Sequence, residues 1–166
     1  MSNRSLVAAG ALLLSASIFS AVTSAASSNL NVSVTVAVNC TMTAGTLAFG
    51  SYDPVGANAA AALDASGTFT VACTKGAAGV TIDLGQGGNY SSGRRMTFSS
   101  SYLSYQLYSD SNRSAIWGST SGGSAINVSP PASSAPVTYT VYGRIPPGQD
   151  IAAGNYSDTV VMTVNF

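Results

Sequence analysis

The sequence predicts an all-β sandwich. Three observations carry this. Short runs such as "NLNVSVTVAVN", "TFTVAC" and "VTYTVYGRI" alternate apolar and polar residues. Alternation with period two is the mark of a strand with one dry face and one wet face. Clusters of Gly, Pro, Asn, Asp and Ser separate these runs at short intervals, as turns do in a sandwich. The composition also suits strands. Glu and His are absent, Lys75 is the single lysine, and Gly, Ser, Thr, Ala and Val dominate. β-Branched residues favour a pleated backbone, and the polar helix-formers are largely missing.

The chain begins with residues 1–25, which have Arg4 in a short polar start, an apolar stretch around Leu6 to Val22, and small residues in "AVTSAAS". This is the layout of a secretory signal peptide cleaved after Ala25 or Ala26. Ser15, Ser17 and Ser20 interrupt the stretch, which is short for a bilayer span of about 20 residues. The exported chain of roughly 140 residues is enough for one domain with one core. The formal net charge of zero for the full chain, with few charged residues, leaves no basic stripe for nucleic acid.

Residues 29–40 form the first expected strand. Leu30, Val32, Val34, Val36 and Val38 share one face; Asn31, Ser33, Thr35 and Asn39 share the other. No turn signal folds this run back on the next segment of the chain. Periodicity alone leaves open whether its apolar face packs in its own domain or in another molecule. Cys40 and Cys73 are the two cysteines. In an oxidising compartment such a pair reads as one disulfide, with two free buried thiols as the alternative. Two Cys without His cannot complete a tetrahedral zinc set. Closing a loop of about 33 residues removes about 3–4 kcal/mol of chain entropy from the unfolded state.

Leu47 and Phe49 are expected to point inward before a break at Gly50 and Asp53-Pro54. Residues 55–67, bracketed by Gly56 and Gly67, read as a loop or irregular edge. Residues 68–73 form a strand with Phe69, Val71 and Cys73 inward, and residues 80–84 another with Val80, Ile82 and Leu84 inward. The Gly-rich stretch 85–93 lacks the Lys and the following helix of a phosphate-binding loop, so it is a turn. "RRMTF" leads to residues 102–108, with Leu103, Tyr105 and Leu107 on one face. Ile116-Trp117 opens a short strand, and residues 137–145 form a longer one. The closing strand, 159–166, carries Val160, Met162, Val164 and Phe166 on one face. A sandwich of immunoglobulin type is expected to need one more strand after it. Proteins cover an exposed apolar edge, and a strand added from another chain would do so.

Catalytic machinery is not expected. Asp53, Asp64, Asp83, Asp110, Asp150 and Asp158 are dispersed, and the serines have neither a His partner nor a Gly-x-Ser-x-Gly turn. Asp53, Asp110 and Asp158 read as turn-formers. Arg94-Arg95 reads as a solvated face, and the Asn-x-Ser/Thr sequons as products of composition. Tyr102, Tyr105, Tyr108 and Trp117 are candidates for a sugar-binding patch, against the competing reading that they pack in the core and sheet faces. No metal or cofactor is expected.

Taken together, "LAFGSYDP", "VACTKG", "YLSYQLYSD", "VYGRIPPGQ" and "GNYSDTVVMTVNF" resemble the spore coat protein U domain, which is shared with pilins of the archaic chaperone–usher pathway (Csu-type pili). The resemblance runs from about residue 28 to 166. It implies an incomplete immunoglobulin-like β-sandwich lacking its last strand and completed by donor-strand complementation. It also implies that a periplasmic chaperone supplies the missing strand, and that at an outer-membrane usher a neighbouring pilin subunit replaces it. Carried onto this chain, residues 26–39 are the donor extension, with Leu30, Val32, Val34, Val36 and Val38 inserted. Residues 40–166 are the pilin domain, with Val160, Met162, Val164 and Phe166 on the acceptor strand and Cys40–Cys73 as the family disulfide. The function implied is a structural subunit of a surface pilus serving adhesion and biofilm formation. A shaft or minor subunit is expected, because the Csu-type tip adhesin carries a second domain. A coat protein assembled on a spore or cell surface without an usher is the alternative. A carbohydrate-binding module is a more distant one.

Overall fold

Nine short strands, each antiparallel to its neighbours, make up the regular β-structure of the computed structural model, which describes residues 21–166. The predicted signal peptide falls mostly on residues 1–20, outside the described residues. Two pieces are described separately.

In the first piece, residues 21–35 carry no strand or helix, and Leu30, Val32 and Val34 are exposed. The same irregular backbone continues to Asn39, so the alternating run forms no strand here. A strand exists by its hydrogen bonds to a neighbouring strand, and among the described residues this run has no such neighbour.

The second piece, residues 36–166, holds all the described strands. They are β1 (Cys40–Thr43), β2 (Leu63–Cys73), β3 (Thr81–Leu84), β4 (Arg95–Phe98), β5 (Ser101–Ser104), β6 (Gln106–Tyr108), β7 (Ile126–Asn127), β8 (Val137–Ile145) and β9 (Met162–Asn165). One sheet has the order β1-β2-β8-β6, a second the order β7-β3-β9, and β4 with β5 forms a hairpin. The fold class is therefore the all-β one expected. The alternating positions of β2, β3, β6 and β8 meet in one core: Phe69, Val71, Ile82, Leu84, Leu107, Val141 and Ile145 are buried. Cys40 lies directly opposite Cys73 across β1 and β2, and the two are joined by the expected disulfide. Trp117 is also buried, its indole N–H donating to the Ile82 carbonyl at 2.9 Å while its ring packs on Phe69.

Several boundaries differ from expectation. β2 begins at Leu63, inside the stretch read as a loop, because its register with β8 runs unbroken from Leu63↔Ile145 to Val71↔Val137. Ile116 and Trp117 make only isolated bridges. Residues 44–51 form no strand, yet Leu47 and Phe49 still pack on the core. The larger correction concerns Arg94. It is 1% exposed rather than solvated. Its guanidinium donates to the carbonyls of Leu84, Gly85 and Trp117 and to Gln106 Oε1, at 2.6–3.0 Å. It ties the end of β3 to β6 and to the loop after Trp117. Burial pulls its pKa down, while Tyr105, Asp83 and Asp158 oppose that shift.

Candidate functional site: an apolar groove beside an open strand edge

β9 is an edge strand. It pairs with β3 on one side, from Leu84↔Met162 to Thr81↔Asn165, and among the described residues no strand pairs with its other side. In an antiparallel pair, bonded and non-bonded residues alternate. The Gly85 N–H donates to the Val161 carbonyl at 2.8 Å, which assigns Val161, and by alternation Thr163 and Asn165, to the side facing β3. The backbone N–H and C=O groups of Val160, Met162 and Val164 consequently face the open side. The side chains of these same three residues pack against the core while remaining partly exposed.

An open groove of about 1010 Å³ borders this edge. Its apolar lining includes Phe69, Leu84, Met96, Leu103, Leu107, Val141, Ile145, Val160 and Met162. Residues 44–52 form one side and residues 151–160 another. Two glycines let the first side lie close on the sheet. A Cβ on Gly67 would collide with the Thr46 carbonyl, and a Cβ on Gly143 would sit 2.6 Å from Phe49 Cζ and 3.0 Å from Leu47 Cδ2. Leu47 and Phe49 thus rest on bare backbone of β2 and β8. "VYGRI" and "ASGTF" need glycine at these positions for that reason.

One end of the groove is polar. Asp158 Oδ2 accepts from the Tyr105 hydroxyl at 2.7 Å, and Oδ1 accepts from Gly88 N–H at 2.9 Å and Asn89 Nδ2 at 3.2 Å. The Gly-rich stretch is therefore more than a turn: it cradles a carboxylate of the same chain. Asp158 is correspondingly not the local turn-former expected. Asp53 and Asp110 are, accepting from Val55 and Gly56 N–H and from Ser114 and Ala115 N–H respectively. Burial, then the bond to Asp158, pushes the Tyr105 phenol well above its ordinary range, so it remains a donor. Gln149, in the "IPPGQ" motif, ties the segment after β8 to the end of β5 by pairing its side chain with both backbone groups of Ser104 at 2.8 and 3.0 Å.

The residues singled out in the sequence take up different places. Val160 and Met162 line the groove, Val164 packs farther along, and Phe166 is 58% exposed. Leu30, Val32, Val34, Val36 and Val38 are all exposed, falling to 47% at Val38. Of the aromatic candidates for a sugar patch, Tyr105 and Trp117 are in the core, while Tyr102 lies half-exposed under the Arg95 guanidinium at 4.1 Å. Sequence reasoning missed Arg94 and Asp158. A Gly-Gly-Asn run whose loop meets a lone downstream Asp was the available signal, but nothing in the sequence joins positions 88 and 158.

The chain is similar to known proteins. The family model of the Spore Coat Protein U domain matches residues 26–163. Protein U of Myxococcus xanthus is 41% identical over 156 residues, covering 85% of each chain. Among solved structures, the CsuC–CsuE chaperone–tip adhesion subunit pre-assembly complex, from archaic chaperone–usher Csu pili of Acinetobacter baumannii, contains a similar chain. That match has a TM-score of 0.53 and 25% identity, covering 80% of this chain and 40% of the other.

Proposed function

Since the chain belongs to the Spore Coat Protein U domain family, we propose that it is a structural subunit of a chaperone–usher pilus, assembled by donor-strand exchange. The observation that carries this reading is the conjunction at β9: an apolar groove beside unpaired backbone groups of Val160, Met162 and Val164. An inserted strand satisfies both needs at once, by bonding the open edge and filling the groove with alternate side chains. Leu30, Val32, Val34, Val36 and Val38 of a neighbouring subunit have the required alternation and are exposed. Burying five such side chains at about 1.5–3 kcal/mol each stabilises the assembly by roughly 8–15 kcal/mol. That rivals the whole stability of a typical domain, about 5–15 kcal/mol.

A periplasmic chaperone is the first occupant of the groove and the extension of the next subunit the second, with an outer-membrane usher as the site of exchange. The chain is exported through the periplasm to the cell surface, where the fibre serves adhesion and biofilm formation. The similarity to a chain of a chaperone–subunit complex supports the chaperone as a partner. The family's name favours a second reading, a surface coat assembled without an usher. Genes for a chaperone and an usher beside this one separate the two.

The test is to express the chain with and without such a chaperone. An SDS-resistant ladder that collapses on boiling is expected with it, and degradation or aggregation without it. A stable, cooperatively folded monomer made from residue 39 onward, with no partner, would overturn the reading.

A further inference from the structure

We propose that Asp158 is the positioning residue of the open β9 edge, resting on the reading of the groove as a strand acceptor. The chain crosses between two partners at this residue. Just before it, Ser157 exchanges backbone bonds with Thr97 of β4, at 2.9 and 3.2 Å. Just after it, the Thr159 and Val161 carbonyls accept from Gly88 and Gly85 N–H at 3.1 and 2.8 Å, extending the pairing of β9 with the β3 side. Asp158 stands at the switch, and its carboxylate holds both sides. Oδ1 takes the Gly88 N–H and the Asn89 amide of the loop leaving β3; Oδ2 takes the Tyr105 hydroxyl, from the residue joining β5 to β6.

The switch matters because strand side chains alternate with period two. A one-residue slip after Asp158 would turn Val160 and Met162 out of the groove and bring Val161 and Thr163 in. It would equally turn the wrong backbone groups to the open edge. Val160, Met162 and Val164 pack on the core and oppose the slip, but each remains partly exposed while no strand covers the groove, so their hold on the register is weaker than that of a fully buried face. Three hydrogen bonds to one carboxylate fix the register at the point where the strand begins. Gly87, with φ of +90°, is part of the device: a Cβ there would collide with Asp158 Oδ2.

Amide hydrogen exchange on the full chain tests this, together with capture of a synthetic peptide of residues 29–39. In Asp158→Ala, the bonded amides at this edge, those of Gly85, Ser157 and Thr163, should exchange at least about tenfold faster, the loss expected when hydrogen bonds to a charged group are removed, while those of β2 and β8 stay unchanged. Peptide capture should weaken by a similar factor. Tyr105→Phe, which removes one bond, should give a smaller change at the same amides, and Gly87→Ala should reproduce the Asp158→Ala pattern from the opposite side. Asp158→Asn, which still accepts from Gly88 but loses one acceptor oxygen, should lie between. Unchanged protection of these amides in Asp158→Ala, or equal loosening of every strand, overturns the proposal. Failure of the wild-type chain to capture the peptide would instead refute the acceptor reading, and the exchange map would still decide the role of Asp158.

Discussion

β3 and β9 lie side by side in one sheet and carry the same alternation, yet they have different fates. In β3, Ile82 and Leu84 are 0% and 1% exposed, with β7 and β9 bonded to its two sides. In β9, Met162 and Val164 are only partly buried and one side of the backbone is open among the described residues. Equal hydrophobic patterning therefore yields a finished strand where neighbours exist on both sides, and a receptive one where a neighbour is missing. Residues 30–38 extend the series to a third case: the same pattern with no neighbour in the described structure is no strand. The alternation prescribes a face, and the supply of partners prescribes whether the face is dry.

The sharpest way to break this comparison is an aspartate in each strand. Ile82→Asp buries a charge with nothing to pair it and should abolish folding. Met162→Asp, at a position only partly buried, should leave a chain that a chaperone still recovers in soluble form at reduced yield but that no longer enters SDS-resistant polymer. Equal collapse of both variants would mean β9 is as finished as β3.

Arg94→Met should cost the β3 end about 3–5 kcal/mol, since the carbonyls of Leu84, Gly85 and Trp117 lose their donor. Denaturant titration reads the loss directly. Arg94→Lys should recover only part of it, because an ammonium lacks the planar fork that reaches four acceptors.

For the third strand-like run, polymer yield should alternate with parity. Val34→Asp puts a charge into an apolar groove and should cost several kcal/mol of assembly, whereas Ser33→Asp faces the other way and should cost far less. Equal tolerance at both positions would make this run a mere tail.

The smallest expected effect lies on the outer face of β2 and β8. Arg144 donates two bonds to the Asp64 carboxylate, at 2.7 and 2.8 Å, and holds it below the usual carboxylate range, with Arg113 assisting. A carboxyl with a lowered native pKa stabilises the fold above its unfolded value, near 3.9, and loses that contribution as pH falls through the native value. Asp64→Asn should therefore destabilise by no more than about 1 kcal/mol at neutral pH, because the pair is partly exposed. The difference from wild type should fade as the solution is taken below about pH 4.

Legibility in the sequence tracked the range of the interaction. The faces of residues 69–73, 82–84 and 103–107 were readable because a dry face imposes a local period, and each alternate residue there is buried. The disulfide was readable because two cysteines leave one pairing. Residues 63–67 were misread because their strand exists only through pairing with β8, some 80 positions away, and a run of small residues declares no face. Val160, Met162 and Val164 were identifiable as a face, but that their backbone edge is open emerges only from the sheet order.

The sequence by itself determined the class of fold and the direction of most strand faces, since each follows from the alternation of neighbouring residues. Only the tertiary structure decided that Arg94 is buried, that Asp158 is cradled by the Gly-rich loop, and that a groove lies beside β9. These depend on hydrogen bonds between residues 10 to 70 positions apart. A charged side chain carries no sign of whether it will meet water or carbonyl oxygens. That is settled by which strands the packing of the core brings to its side.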